Sequence, residues 1–241
     1  TVLNRFRSIE TRNARRLARI EKWDQPVEGR LGRLRAWLHM LFSDHGLFRV
    51  FYLNRHEVAP GLYRSAQPTP HQLARFAREG GRSIVYLRGG REHGAWQLEK
   101  EACDRLGLKL EEFVVRSRGA PDRETVLAAP AFFASLEKPA LIHCKSGADR
   151  AGFVSALYKV VVEGASADEA LQQLSLRYGH FRYARTGILD TFFERYRDEA
   201  EARGIPFLTW VAEIYDPEAL EREFRAGLFS EILVDRIMRR E

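Results

Sequence analysis

The sequence predicts an α/β fold, a central mixed and mostly parallel sheet flanked by helices, with amphipathic helical extensions at both ends. Three observations predict it. Short β-rich runs alternate with stretches of helical periodicity through the middle of the chain. The run at 83–88 (Ser83, Ile84, Val85, Tyr86, Leu87, Arg88) lies between the glycine pairs Gly80-Gly81 and Gly89-Gly90 and reads as a central strand. A second apolar run, 139–143, ends at His143 and is followed by a tight loop and a helical pattern. The organisation that follows is a basic, aromatic helical extension over 1–56, a core over 57–203 and a helical appendage over 204–241.

Each element has a local reason. Residues 1–22 carry Arg5, Arg7, Arg12, Arg15, Arg16 and Arg19 among apolar residues at helical spacing, and Trp23 to Pro26 breaks the pattern. In 29–53, Arg30, Arg33 and Arg35 precede Trp37, Leu38, Leu41 and Phe42, then Leu47, Phe48, Val50 and Phe51. Arginines beside Trp, Phe and Leu suit an interfacial amphipathic helix, and the same pattern suits a helix packed on the core. Residues 58–68 read as a short strand and turn, with Thr69 capping a helix over 71–79. A helix over 96–106 stops at Gly107, a strand follows over 108–115, and a helix over 122–136 starts after Pro121 with a bend or break at Pro130. Beyond the loop come helices over 150–163, 170–178 and 187–202, with a cap-like Ser166 before the second. Gly204, Ile205 and Pro206 close the last of these, and 216–240 is an amphipathic helix.

Composition sets outer limits. The 241 residues, 45% hydrophobic and 30% charged, are ordinary for a globular protein. Cys103 and Cys144 are too few for a disulfide framework, which points to a reducing compartment. The net charge of +6 suits anionic partners. Nucleic acid is not expected, because neither an aromatic RNA-binding signature nor a DNA-reading helix motif is present. No apolar stretch approaches a membrane span and no secretory signal is read, so the expectation is a cytoplasmic protein lying peripherally on the inner membrane. The seven histidines show no metal-ligand spacing, so neither metal nor cofactor is expected.

The chemistry concentrates in 143–150: His143, Cys144, Lys145, Ser146, Gly147, Ala148, Asp149, Arg150. A loop between a strand end and a helix start can point successive backbone N–H groups at an anion, and the helix adds the positive end of its dipole. Arg150 supplies a planar fork for two phosphate oxygens, and Gly147 permits a turn that a side chain would resist. Cys144 would lie at the floor of this cradle, where the positive field favours the thiolate nucleophile. Lys145 adds a cation at the rim, and His143 tunes the loop through hydrogen bonds. Arg88, Arg91 and Glu92 follow the 83–88 strand at the end where α/β sheets place ligands.

His143-Cys144, five residues, then Arg150 resembles the signature of the cysteine-dependent phosphatases, the protein tyrosine phosphatase superfamily, in its dual-specificity and lipid-phosphatase-like bacterial branch. The stretch 61–68 is similar to the opening strand of a bacterial and fungal branch of that family, and the resemblance implies that Arg64, Ser65 and Gln67 lie near the phosphate loop. It also implies a phosphocysteine mechanism and a general acid, usually an Asp from an upstream mobile loop. No Asp stands at that place. The two candidates are Asp149, inside the loop as in a subset of bacterial and lipid-directed phosphatases, and Asp122, which also suits a helix cap. A second departure is Ala151, where the family carries a hydroxyl that helps the thiolate leave; Ser65 or Ser146 are the available substitutes. The expected function is a phosphomonoesterase acting on a membrane lipid phosphate, lipid A or a phospholipid headgroup. The lipid assignment rests on the Lys145 and Asp149 loop, the arginine content and the basic aromatic extension. The alternatives are a protein tyrosine or dual-specificity phosphatase and a non-catalytic phosphate-binding pseudophosphatase. The expected partners are a phosphorylated substrate and an anionic membrane surface.

Overall fold

A computed structural model describes residues 17, 18, 21, 29–43, 52–89, 91 and 94–238, with the backbone alone at 30, 42, 43 and 228–238. The sequence patterns at 1–16, 19–20, 22–28 and 44–51, and at Gly90 and Glu92, lie outside the described residues. The chain forms two compact units: one from 1–113 and 137–143, the other from 114–136 and 144–241.

The first unit holds the sheet. Its strands are β1 (His56–Ala59), β2 (Leu62–Ala66), β3 (Ser83–Tyr86), β4 (Lys109–Glu112) and β5 (Ala140–Cys144), in the order β1-β2-β5-β3-β4. β3 runs parallel to both β4 and β5, and β1 pairs antiparallel with β2, so the sheet is mixed as expected. The 58–68 segment is a two-stranded hairpin rather than one strand and a turn, because Pro60-Gly61 reverses the chain. The middle place belongs to β5, with β3 beside it. Ile84 is in register with both Leu141 and Leu110, so alternate residues of three strands share one face. On that face Ile84 and Leu141 pack with Leu73 and Phe76 of α2 (Pro70–Arg78) and with Ala102 and Cys103 of α3 (Gly94–Leu106). Thr69 caps α2 in a reciprocal box with Gln72.

Ahead of the sheet, α1 (Gly29–Leu38) continues into a π-helical turn, His39–Ser43. Ala36 and Met40, one turn apart, bury against Ala95 and Leu98 of α3. Leu31, Leu34 and Leu38, on another face, are 62%, 54% and 45% exposed. The packed reading of this helix describes one of its faces, and its other face is exposed.

The second unit is helical: α4 (Arg123–Ser135), α5 (Asp149–Glu163), α6 (Ala167–Leu171), α7 (Ile188–Glu199), α8 (Phe207–Glu213) and α9 (Pro217–Met238). α4 continues past Pro130 instead of breaking there; one backbone hydrogen bond is forgone, while Val126, Ala129 and Phe133 keep the helix seated on buried neighbours. The expected helix over 170–178 is shorter and earlier. Ser166 and Glu169 form a capping box that starts α6 at Ala167, and turns lead from Leu171 to a 3-10 turn, Leu176–Tyr178. Phe192 lies at the centre of an aromatic core, with ring centroids 5.7 Å from Phe153, 5.3 Å from Trp210 and 4.9 Å from Tyr215. The buried polar tips have partners, since Tyr215 donates to the Pro121 carbonyl and Trp210 donates to Glu199. Phe192→Ala is expected to cost about 3–5 kcal/mol, read as a lower urea midpoint at unchanged slope.

Candidate active site

All five residues of β5 are buried, and the strand ends on Cys144. The loop then turns through Gly147 at φ +77°, a conformation that a side chain would strain. α5 begins at Asp149, so Arg150 lies in its first turn. Ala148 provides no side-chain cap at this helix start, where backbone N–H groups and the dipole suit an anion. Cys144, Gly147 and Ala148 are buried, Lys145, Asp149 and Arg150 are half-buried, and Ser146 is exposed. The expected strand, loop and helix are thus present, with Cys144 and Arg150 at the two ends.

In the first unit, His143 is fully buried and its Nε2 meets the Glu99 carboxylate. Gln67 donates from Nε2 to the other Glu99 oxygen at 2.7 Å, and Arg88 donates to the Gln67 carbonyl oxygen. The chain of donors runs guanidinium, amide, carboxylate. A carboxylate that is 1% exposed needs such donors to offset its lost hydration. The structure thus brings three residues singled out in the sequence, His143, Gln67 and Arg88, into one network around Glu99, which sequence reasoning missed. Arg64 and Ser65 are fully buried in β2, and the Ser65 hydroxyl donates to the Ala66 carbonyl at 2.7 Å.

In the second unit, the two acid candidates have different surroundings. Asp122 is the exposed N-cap of α4, and its Oδ2 accepts from the Thr125 backbone at 3.0 Å and from its hydroxyl at 2.9 Å. Asp149 meets Nδ1 of His180 with its Oδ1 at 2.7 Å, and Nε2 of the same ring meets Asp190 at 2.6 Å. The His180 ring is fully buried, with Asp190 almost so. Neither His180 nor Asp190 carries a sequence signal, since 31 positions separate His180 from Asp149. After Arg150, Ala151 is buried and its carbonyl accepts from the Ser155 hydroxyl at 2.7 Å. Among the described residues no group of three or more His, Cys, Asp or Glu side chains is arranged to hold a metal ion, and no helix is long and apolar enough to cross a membrane.

A family model described as "DSP-PTPase phosphatase fused to NAD+ Kinase" matches residues 53–187, more than half of the chain. The chain belongs to that DSP-PTPase family. The matched span includes β1 to β5, the whole loop and His180. The dual specificity protein phosphatase TpbA of Pseudomonas aeruginosa is 26% identical over 124 residues, 51% of this chain and 53% of that protein. The chain therefore spans about half the length of the curated relatives it matches. The crystal structure of P. aeruginosa TpbA superposes with a TM-score of 0.50 at 22% identity, covering 65% of this chain and 91% of that one. The core catalytic domain of a PP-IP phosphatase from S. cerevisiae, in complex with citrate, gives a TM-score of 0.50 at 19% identity, covering 63% and 90%. At these identities the two structures establish the α/β fold.

The charge on His180 links the site to stability. Burial works against the charged ring, but hydrogen bonds to Asp149 and Asp190 outweigh it and raise the pKa from the ordinary 6.5 to about 9. A folded-state pKa above the unfolded one contributes stability fully below pH 6.5, and the contribution is lost as pH rises through about 9. The thermal midpoint is expected to fall across that window, by about 2–4 °C per kcal/mol lost. His180→Gln is expected to flatten the fall, which calorimetric scans of both proteins between about pH 6 and pH 10 would show.

Proposed function

We propose that the protein is a phosphomonoesterase that works through a phosphocysteine on Cys144, with phosphotyrosyl protein as its substrate class. The single observation that carries the chemistry is the run of β5 into Cys144, the positive-φ turn at Gly147 and the helix start that holds Arg150. The substrate class is supported by family membership and by the dual specificity protein phosphatases of P. aeruginosa among the relatives.

In the first step the Cys144 thiolate attacks phosphorus. A sulfur–phosphorus bond forms, the ester oxygen–phosphorus bond breaks, and the aryl oxide departs and takes its proton from solvent. Arg150 holds two nonbridging oxygens from ground state to transition state, and loop N–H groups meet the third. In the second step water attacks phosphorus and gives up a proton, the sulfur–phosphorus bond breaks, inorganic phosphate leaves and the thiolate returns. Ala151 offers no hydroxyl to the departing sulfur, so this step is the slower one in the scheme.

A membrane lipid phosphate, lipid A or a phospholipid headgroup, is a second reading, favoured by one observation. Leu31, Leu34 and Leu38 of α1 are exposed in the same helix as the exposed Arg33 and Arg35, a composition suited to an anionic bilayer surface.

A side-by-side phosphate-release assay on phosphotyrosyl peptides, lipid A and phosphatidylglycerophosphate tests both readings. Release from the peptide is expected to dominate, and dominance of either lipid would move the assignment to the second reading. Cys144→Ser is expected to lower release from every substrate at least about 10³-fold while binding persists. Turnover that survives the substitution contradicts the phosphocysteine mechanism.

A further inference from the structure

Asp149 is the loop residue directly before Arg150. Three facts of the second unit bear on it. Both ring nitrogens of His180 face carboxylate oxygens, Asp149 at 2.7 Å and Asp190 at 2.6 Å. The ring itself is fully buried, so water does not satisfy either nitrogen. The residue before it, Gly179, stands at φ +79°, and a Cβ there would lie 3.9 Å from the Ala148 side chain, so the 179–180 segment backs the loop directly.

Each of the two contacts needs a proton between nitrogen and oxygen, because a carboxylate only accepts. With both protons on the ring, His180 is an imidazolium between two ionised carboxylates, and burial strengthens the attraction on both sides. Among the described residues, the charged groups facing the ring are Asp149 from α5 and Asp190 from α7. A proton placed on Oδ1 of Asp149 instead would lie in the contact with His180 and not on the other carboxylate oxygen. The raised pKa of His180 agrees with the imidazolium form.

We propose that His180 is a positioning residue that holds Asp149 as a fixed, ionised carboxylate, so that the loop supplies no acid to the leaving oxygen and the site selects aryl over alkyl phosphate esters. The inference rests on the phosphomonoesterase reading and deepens it. An aryl oxide departs without protonation, whereas an alkoxide needs a proton as the oxygen–phosphorus bond breaks. Asp149, kept ionised, is then suited to take the proton of the water that attacks the phosphocysteine, as the sulfur–phosphorus bond breaks and the Cys144 thiolate is restored.

The experiment uses the full chain and two probes, an aryl phosphate and an alkyl phosphate, at pH 6 to 9. The intact protein is expected to favour the aryl ester in kcat/KM at least about 10²-fold, the scale of a missing general acid. His180→Asn keeps a donor for Asp149 and removes the cation. It is expected to shift the acid limb of the pH profile to higher pH and to narrow the aryl preference, with more effect on kcat than on KM. Equal turnover of the two esters by the intact protein, or a His180→Asn profile that superposes on the original, overturns the proposal. Should His180→Asn fail to fold, Asp190→Asn is read the same way. Ring nitrogen NMR of the unsubstituted protein gives a readout independent of turnover: both His180 nitrogens are expected to remain protonated to pH 8, and a neutral ring at pH 7 overturns the clamp. Absence of phosphate release from either ester would sink the phosphomonoesterase reading and the selectivity with it, while the NMR result still decides the state of the clamp.

Discussion

A buried histidine–carboxylate pair stands at each sequence end of the Cys144 to Arg150 loop. His143, the residue before the cysteine, is held by Glu99, and Asp149, the residue before the arginine, is held by His180. A cradle of backbone N–H groups serves an anion only if it does not reorganise when charge develops, and the residues next to Cys144 and Arg150 are each held in a histidine–carboxylate contact. The two pairs differ in what they require. Glu99 meets an imidazole and accepts from an amide, whereas the His180 ring lies between two carboxylates.

Ordinary packing supports each pair. In the first unit, α3 is buried at every residue from Gly94 to Glu99, with Ala95 and Leu98 against Ala36 and Met40 of α1. Glu99 is thereby kept from water and its bond to His143 from competition. In the second unit, Asp190 and Phe192 lie in the first turns of α7, and Phe192 joins Phe153 of α5 to Trp210 and Tyr215 further along. The helix that presents Asp190 to His180 and the helix that carries Arg150 thus share one aromatic core.

The strand, loop and helix around Cys144 were legible because the information is local: an apolar run, a glycine at a left-handed turn and a helical pattern occupy consecutive positions. The caps Thr69 and Ser166 were legible for the same reason. Glu99 was not. It lies in a charged-looking stretch (Gln97, Leu98, Glu99, Lys100, Glu101), and only the approach of His143 and Gln67, 44 and 32 positions away, turns its side of the helix inward. His180 was hidden in the same way, in a segment that reads as a turn. Pro130 marks the opposite failure, a local rule overridden by the seating of Val126, Ala129 and Phe133.

Passage of phosphate through the Cys144 sulfur is read by acid-quenched intact-protein mass spectrometry during turnover of an aryl phosphate. One added phosphoryl group, mapped to the peptide that contains Cys144, is expected, and its loss in Cys144→Ser. Continued turnover with no phosphorylated protein in the quench, or a phosphoryl group mapped to another residue, would contradict it.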